Sequence, residues 1–428
     1  MVSLTAVHGP TGKIAPQEWM TAPATKAVIK ALTAGGAEVR FVGGCVRDAL
    51  ARRPVKDIDL ATPDAPDKVI KLLETAGIRV VPTGIEHGSV TAIVEGAKFE
   101  VTTLRRDVET DGRRAKVAFT DDWTADAERR DFTINALSAT PAGDVYDPHD
   151  GIGDLAHGRV RFVGLAKERI AEDVLRILRY FRFFGSHGRP PADPDAVAAC
   201  RAEAPKLKQL SGERVRDELF KILMTPNPAE VAVMMRGLGV FNPILPEAGD
   251  VGRLRMLTWL ETRAIKIATV KPDPLRRLAA LVTTDAAGAA AVAERLRFSN
   301  RQVLDFSVLA APPADIEPDT AAADLRRALH RLGPDRVRDL ALLSWAGEIA
   351  VTPRIPAART RKWIAILEAC DGWRDVAFPL KGADALKLGI PEGPRVGALL
   401  AEVEAWWEQG DYRAGRGECL EKLKSLLA

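Results

Sequence analysis

The chain has 428 residues, with 61 Lys and Arg against 58 Asp and Glu, a formal net charge of +3 and 46% hydrophobic residues. That length supplies two to four folding units, and the composition excludes a disordered or fibrous protein. Four widely separated cysteines, Cys45, Cys200, Cys370 and Cys419, argue against a disulfide framework or a cysteine-built zinc site and fit a reducing, cytoplasmic location.

The chain opens on MVSLTAVHGPTGKIAP, which lacks a charged start followed by an apolar core, and no stretch approaches the roughly 18 apolar residues of a membrane span. Residues 1–24 read as a loosely held extension. From Thr25 the pattern alternates: a helix TKAVIKALTAGG, a strand VRFV ending at Gly43-Gly44, a helix CVRDALARR, a strand DIDLAT and a helix PDKVIKLLETAG. IRVVPTG, GSVTAIVEG and KFEVTTLR follow as strands. The last two are joined so tightly that they must pair antiparallel, which makes the sheet mixed.

Between Arg105 and Thr124 the sequence is dense in charge and poor in apolar residues, and predicts a long exposed loop. Beyond RRDFTINALSAT and the turn-rich PAGDVYDPHDGIGD the pattern turns helical, with apolar residues at three- and four-residue spacing in ERIAEDVLRILRYFRFFG and GERVRDELFKILM. The predicted fold class is α+β: an N-terminal head with a mixed β-sheet and helices, then an all-helical neck, body and tail. The expected boundaries are an extension at 1–24, head 25–156, neck 157–225, body 226–340 and tail 341–428.

Three constellations carry chemistry. In the first, Gly43 and Gly44 stand at a strand-to-helix turn where backbone can approach a phosphate, and Arg47 lies in the first helical turn. On the next strand Asp57 and Asp59 share one face while Ile58 and Leu60 take the other. Glu100, on a strand that can lie alongside, adds a third carboxylate to what resembles a two-metal site. A DxD alone is commonly two solvated carboxylates; the Gly-Gly-x-x-Arg-Asp before it supplies the phosphate cradle that such a pair needs.

The second constellation, Arg129-Arg130-Asp131-Phe132-Thr133-Ile134-Asn135, places Arg130 to pair with phosphate and offers Asp131 and Asn135 to a ribose hydroxyl. An isolated RRD is also a common surface pair at a helix start. In the third, Asp173, Arg176 and Arg179 fall at three-residue spacing on one helix face, with Leu175, Leu178 and Phe181 as an apolar stripe. A rigid Asp–Arg pair presents the donor and acceptor edges of a base-pairing partner, although most such pairs are helix-surface ion pairs. Farther on, residues 252–280 hold seven basic residues against Glu261 and Asp273, a face that would suit nucleic-acid phosphates.

In order and context, FVGGCVRDALARRPVKDIDLAT, ERRDFTINALS, YDPHDGIGDL, ERIAEDVLRILRYFRF and SGERVRDELFKIL resemble the motifs of the class II tRNA nucleotidyltransferase and bacterial poly(A) polymerase family, over about residues 38–225. The resemblance implies a nucleotidyltransferase head in which Asp57 and Asp59 ligate Mg2+ with Glu100 as the third catalytic carboxylate. It also implies that Gly43, Gly44, Arg47, Arg130, Asp131 and Asn135 hold triphosphate and ribose. Asp173 and Arg176 would read the incoming base, Arg179 and Arg182 would lie near nucleotide or RNA, and Glu213 and Arg214 would brace the pocket. The implied substrates are CTP, ATP and the tRNA 3′ end, without membrane or obligate protein partner, and the product is the CCA terminus. The charged segment 105–122 matches the family's flexible loop, which favours complete CCA addition over CC addition. Poly(A) synthesis and a non-catalytic RNA-binding relative are the alternatives.

Overall fold

The computed structural model describes residues 9–111 and 114–427, which divide into two compact units, one up to Pro246 and one from Glu247. In the first, eight strands among the described residues form one sheet. They are β1 (Gly12–Lys13), β2 (Arg40–Val42), β3 (Ile58–Thr62), β4 (Arg79–Gly84), β5 (Ser89–Val94) and β6 (Ala97–Thr103), with β9 (Ser138–Ala139) and β10 (Asp144–Tyr146) entering after a separate two-stranded hairpin, β7 (Arg105–Asp111) and β8 (Arg114–Phe119). The order is β1-β10-β9-β2-β3-β6-β5-β4. β5 and β6 pair antiparallel as expected, whereas β3 and β6 run parallel. The sheet is therefore mixed.

Helices α1 (Glu18–Thr21), α2 (Pro23–Thr33), α3 (Gly44–Leu50) and α4 (Pro66–Thr75) accompany these strands. Leu32, Phe41, Leu60, Leu73, Phe99 and Val101 form a fully buried core beneath the sheet. The pleat does the sorting. Leu60, Phe99 and Val101 turn inward, so their neighbours Asp59 and Glu100 take the opposite face.

Two expectations are corrected here. The segment 1–24 is not loose throughout: β1 pairs with β10, and α1 buries Met20 in the core. Residues 1–8 lie outside the described residues. The expected charged loop is instead the hairpin β7–β8, paired from Arg105↔Phe119 to Asp111↔Arg114. Its first strand carries a single apolar residue in sequence, Val108, too few to show an apolar period of two. Gly112, Arg113 and the side chains of residues 107–116, which carry most of that loop's charge, lie outside the described residues.

The chain continues through α5 (Trp123–Glu128), a single 3₁₀ turn Thr133–Asn135, α6 (Gly151–His157), α7 (Ala166–Glu172), α8 (Arg176–His187), α9 (Pro194–Glu203), α10 (Gly212–Leu223) and α11 (Pro228–Gly237). Buried Phe132 packs 4.8 Å from Phe162 and 5.1 Å from Phe183, centroid to centroid, which fixes the RRDFTIN segment against α8. The predicted continuous helix over 168–185 is broken at Asp173, whose backbone is extended (φ −153°, ψ 109°). Its carboxylate accepts the Leu175 N–H at 3.1 Å and so starts α8 anew.

The second unit is helical: α12 (Val251–Trp259), α13 (Pro274–Leu281), α14 (Ala286–Arg295), α15 (Asn300–Ala310), α16 (Ala322–Leu332), α17 (Pro334–Val351), α18 (Ala357–Gly372), α19 (Gly382–Lys387), α20 (Pro394–Gln409) and α21 (Arg416–Ser425). Helix α17 runs across the body–tail boundary expected at residues 340 and 341. The basic stripe expected at 252–280 is corrected in part. Arg276 and Arg277 are buried against Glu261, and Arg253 donates to the carbonyls of Ala279, Ala280 and Val282 at 2.8, 2.9 and 2.6 Å. Arg255, Arg263, Lys266 and Lys271 remain exposed. Trp363 and Trp407 are core residues, Trp363 stacking on Trp345 at 6.0 Å. Among the described residues no helix is long and apolar enough to cross a membrane.

Candidate active site

The turn between β2 and α3 sets one wall. Gly43 has φ +67° and ψ −120°, so its backbone conformation favours glycine, and a Cβ there would lie 2.9 Å from the Arg130 guanidinium and displace it. Its N–H is spent on the Leu137 carbonyl at 2.9 Å. One turn into α3, Arg47 donates to the Asn135 side-chain oxygen at 2.6 Å and to Asp48 at 2.9 Å. Two segments 88 residues apart thus hold one cation in place.

The carboxylates follow from strand register. Asp59 on β3 lies directly beside Glu100 on β6, while Asp57 just precedes β3 and is exposed. Burial, then the neighbouring charge of Glu100, push the Asp59 carboxyl up to about 6; Asp57 adds to the shift and Arg130 opposes it. Like-charged oxygens gathered on one face of the sheet are what a hard divalent cation would relieve, and all the donors are oxygen. The residues fit such an ion, although among the described residues no three His, Cys, Asp or Glu side chains already converge on one point.

Asp126, nearly fully buried in α5, orients the opposite wall. It accepts from Arg129 at 2.6 Å and from Arg130 at 3.1 Å, and it also takes the Arg105 backbone N–H at 3.2 Å. Burial alone would raise this carboxyl, but the two guanidiniums hold it below its ordinary value.

Asp131, expected to meet a ribose, is occupied within the protein. One oxygen accepts from Arg179 at 2.7 Å, and the other accepts from Asn135 at 2.9 Å and from the Phe132 N–H at 3.0 Å. Burial again pushes upward, and Arg179 with Asn135 more than offsets it, so the carboxyl stays ionised below its usual range. It fixes the cation and amide around it.

Asp173 and Arg176 do not pair with each other as the helical spacing predicted. Asp173 accepts from Arg214 on α10 at 2.7 Å, and Arg176 pairs with Glu172 and donates to the Arg169 carbonyl at 2.8 Å. These elements together enclose a cleft of about 520 Å³. Gly43, Gly44, Arg47, Asp59, Arg130, Asp131, Asn135, Asp173, Arg176 and Arg179 all line it, as does the expected brace Arg214.

Three expected residues do not line this cleft. Asp57 lies outside it and Glu100 borders a neighbouring cavity. Arg182 pairs with Glu218 at 2.8 Å and lies 4.4 Å over the Phe183 ring. Arg129, which opened the second constellation without a role of its own, Leu175, placed in the apolar stripe, and Phe183, which the sequence did not single out, complete the lining. Phe183 is four residues beyond Arg179 on the same helix face, a position that the helical period could have supplied.

Six arginines against three aspartates, Asp59 among them, in a space sized for one nucleotide, suit a polyanionic substrate held next to carboxylate oxygens that fit a metal. This head is of the nucleotidyltransferase class. The family described as "Poly A polymerase head domain" matches residues 39–161, and that described as "Probable RNA and SrmB-binding site of polymerase A" matches 192–250. The CCA tRNA nucleotidyltransferase 1, mitochondrial, of Danio rerio is 35% identical over 396 residues, covering 90% of this chain and 87% of its own. The CCA-adding enzyme of Leuconostoc citreum is 42% identical over 211 residues, about half of each chain (49% and 50%). The fold matches the crystal structure of the Bacillus stearothermophilus CCA-adding enzyme in complex with CTP, with a TM-score of 0.75, 24% identity, and coverage of 95% of this chain and 98% of that one. The chain belongs to the CCA tRNA nucleotidyltransferase family. Enzymes of this class use divalent metal, which is what the carboxylates at β3 and β6 fit.

Proposed function

We propose that this chain adds CCA to the 3′ end of tRNA from CTP and ATP without a nucleic-acid template. The observation that carries the reading is Asp59, in register beside Glu100, lining a cleft whose arginines match a triphosphate. Arg47, Arg129 and Arg130 hold the phosphates, and Asp131 keeps Arg179 and Asn135 aimed at the nucleotide. Asp57, Asp59 and Glu100 would hold Mg2+, which when bound neutralises charge on the reacting phosphate and favours ionisation of the attacking hydroxyl. The bond formed joins the RNA 3′ oxygen to the α-phosphorus, the bond broken is that to the β-phosphate bridging oxygen, pyrophosphate leaves, and the hydroxyl proton passes to solvent. Most of the rate comes from positioning and charge neutralisation. A cytoplasmic location agrees with this role.

The test is transfer onto a tRNA transcript lacking CCA, supplied with labelled CTP alone, ATP alone, then both. Two additions with CTP, and a third only when ATP is present, are expected; long ATP-only products would replace this reading with poly(A) synthesis. Stopping at CC would show that the hairpin β7–β8 does not serve the A-adding step.

Base choice is assigned to Asp173 and Arg176, held by Arg214 and Glu172 at the break between α7 and α8. Asp173→Ala frees Arg214 and removes the side-chain turn to the Leu175 N–H that leads into α8. Discrimination of CTP and ATP against UTP and GTP should fall by about tenfold or more, measured as ratios of kcat/KM. Unchanged ratios would refute the role.

A further inference from the structure

Phe183 on α8 is buried yet lines the nucleotide cleft, and three guanidiniums gather on its ring. Their central carbons lie 4.4 Å (Arg182), 5.3 Å (Arg47) and 5.7 Å (Arg179) from the ring centroid, all within reach of a cation–π contact. Arg47 comes from α3, whereas Arg179 and Arg182 come from α8. The ring itself is fixed by Phe132, 5.1 Å away, and by the His187 imidazole, stacked on it at 6.2 Å.

Three like charges around one ring repel, and the carboxylates present answer only part of that. Arg47 pairs with Asp48 at 2.9 Å, Arg179 with Asp131 at 2.7 Å and Arg182 with Glu218 at 2.8 Å, one carboxylate for each. Positive potential persists around the ring. Burial, followed by Arg47, Arg53 and Arg182, pushes His187 down to about 3, so its imidazole is neutral and adds no fourth charge. Burial also holds the Arg182 guanidinium below its ordinary value, with Glu218 opposing and Arg179 and Arg47 adding to the shift.

A further carboxylate would hold the three cations, but it would cancel charge that the triphosphate has to meet. A phenyl ring draws guanidiniums to its electron-rich face and carries no net charge. A leucine would fill much of the same space and lack that attraction. Arg47 and Arg179 line the cleft and Arg182 does not, so the ring ties two substrate-facing cations to a third outside it.

We propose that Phe183 is a positioning residue for the nucleotide: its ring keeps Arg47 and Arg179 gathered at the cleft wall, and nucleotide affinity depends on the charge distribution of the ring rather than on its bulk. The proposal rests on the nucleotidyl-transfer reading above. The test replaces Phe183 by phenylalanines carrying one, two and three ring fluorines, which withdraw charge from the ring face stepwise while nearly keeping its shape. The KM for CTP, and the Kd of CTP with Mg2+ by calorimetry, should rise with each fluorine and reach about tenfold at three. The kcat and the KM for tRNA should stay within about twofold, because the phosphates are held equally before and during transfer. Phe183→Leu should raise both CTP constants at least as far as the three-fluorine protein. CTP constants that stay flat along the fluorine series, whatever Phe183→Leu does, would make Phe183 a packing residue and overturn the assignment, as would a rise in the tRNA KM alone. Wild-type protein that binds no CTP in Mg2+ would remove the proposed function with it, whereas wild type that adds CCA beside an unaffected fluorine series removes this inference alone.

Discussion

Asp59→Asn is expected to cut nucleotide transfer by on the order of 10³-fold or more, because it removes a metal-ligating oxygen and the charge that balances the ion. The same substitution should leave folding intact. Asp59 is only half-buried, makes no ion pair among the described residues, and has its carboxyl raised to about 6 by burial and by Glu100. An ionised Asp59 is thus an unfavourable group in the metal-free protein at neutral pH, and a neutral amide in its place should hold or slightly raise Tm. Metal provides a second readout. Adding Mg2+ should raise the Tm of the wild type, since an ion that binds only the folded state stabilises it by mass action, and this increment should shrink in Asp59→Asn. Retention of more than a tenth of wild-type transfer, or an equal Mg2+ increment in both proteins, would contradict the assignment of Asp59 as ligand.

The sequence pattern made the head legible because its strands alternate cleanly. Leu60, Phe99 and Val101 mark the inner face, so Asp59 and Glu100 had to share the outer one. What it could not show is which strands run side by side. The parallel pairing of β3 with β6, which makes Asp59 and Glu100 neighbours, depends on the intervening α4 and β4–β5 crossing over. The break at Asp173 was hidden for a related reason: the apolar period continues through it, and what stops the helix is a local side-chain turn to the Leu175 N–H together with Arg214, 41 residues away. Asp131 shows the limit at a single residue. Its type suggested a ligand to ribose, and only the three-dimensional arrangement reveals that Arg179, Asn135 and a backbone N–H occupy its oxygens first. The exposed loop expected at 105–122 failed because a hairpin stabilised by its own ladder needs no apolar face for a sequence pattern to detect.

Arg277→Met should unfold the second unit more readily rather than weaken RNA binding, and the contrast separates two meanings of one basic cluster. Arg277 is 2% exposed and donates to one oxygen of Glu261 at 2.7 Å, while Arg276 donates to the other at 2.9 Å. Glu261 itself lies in a widened turn, Leu260–Ala264, that follows α12, and its side chain is wholly shielded from solvent. Removing one guanidinium leaves a buried carboxylate with less compensation, a change that costs about 3–5 kcal/mol in comparable buried pairs. For a unit of this size the Tm of its transition should fall by roughly 10 °C. A residue that instead bound RNA phosphate would leave Tm alone, weaken RNA affinity and lower the salt slope by about one. Arg263→Ala is the control: it is exposed on the same stretch, so its Tm should stay within about 1 °C of wild type. The Glu261→Leu/Arg277→Met double variant sharpens the argument, because replacing both charges with apolar groups of similar volume removes the uncompensated carboxylate. It should recover part of the lost stability, since buried Arg276 keeps Asp339 as a partner, and an equal or greater loss than in Arg277→Met would mean that depriving Arg276 of Glu261 costs as much as the uncompensated carboxylate.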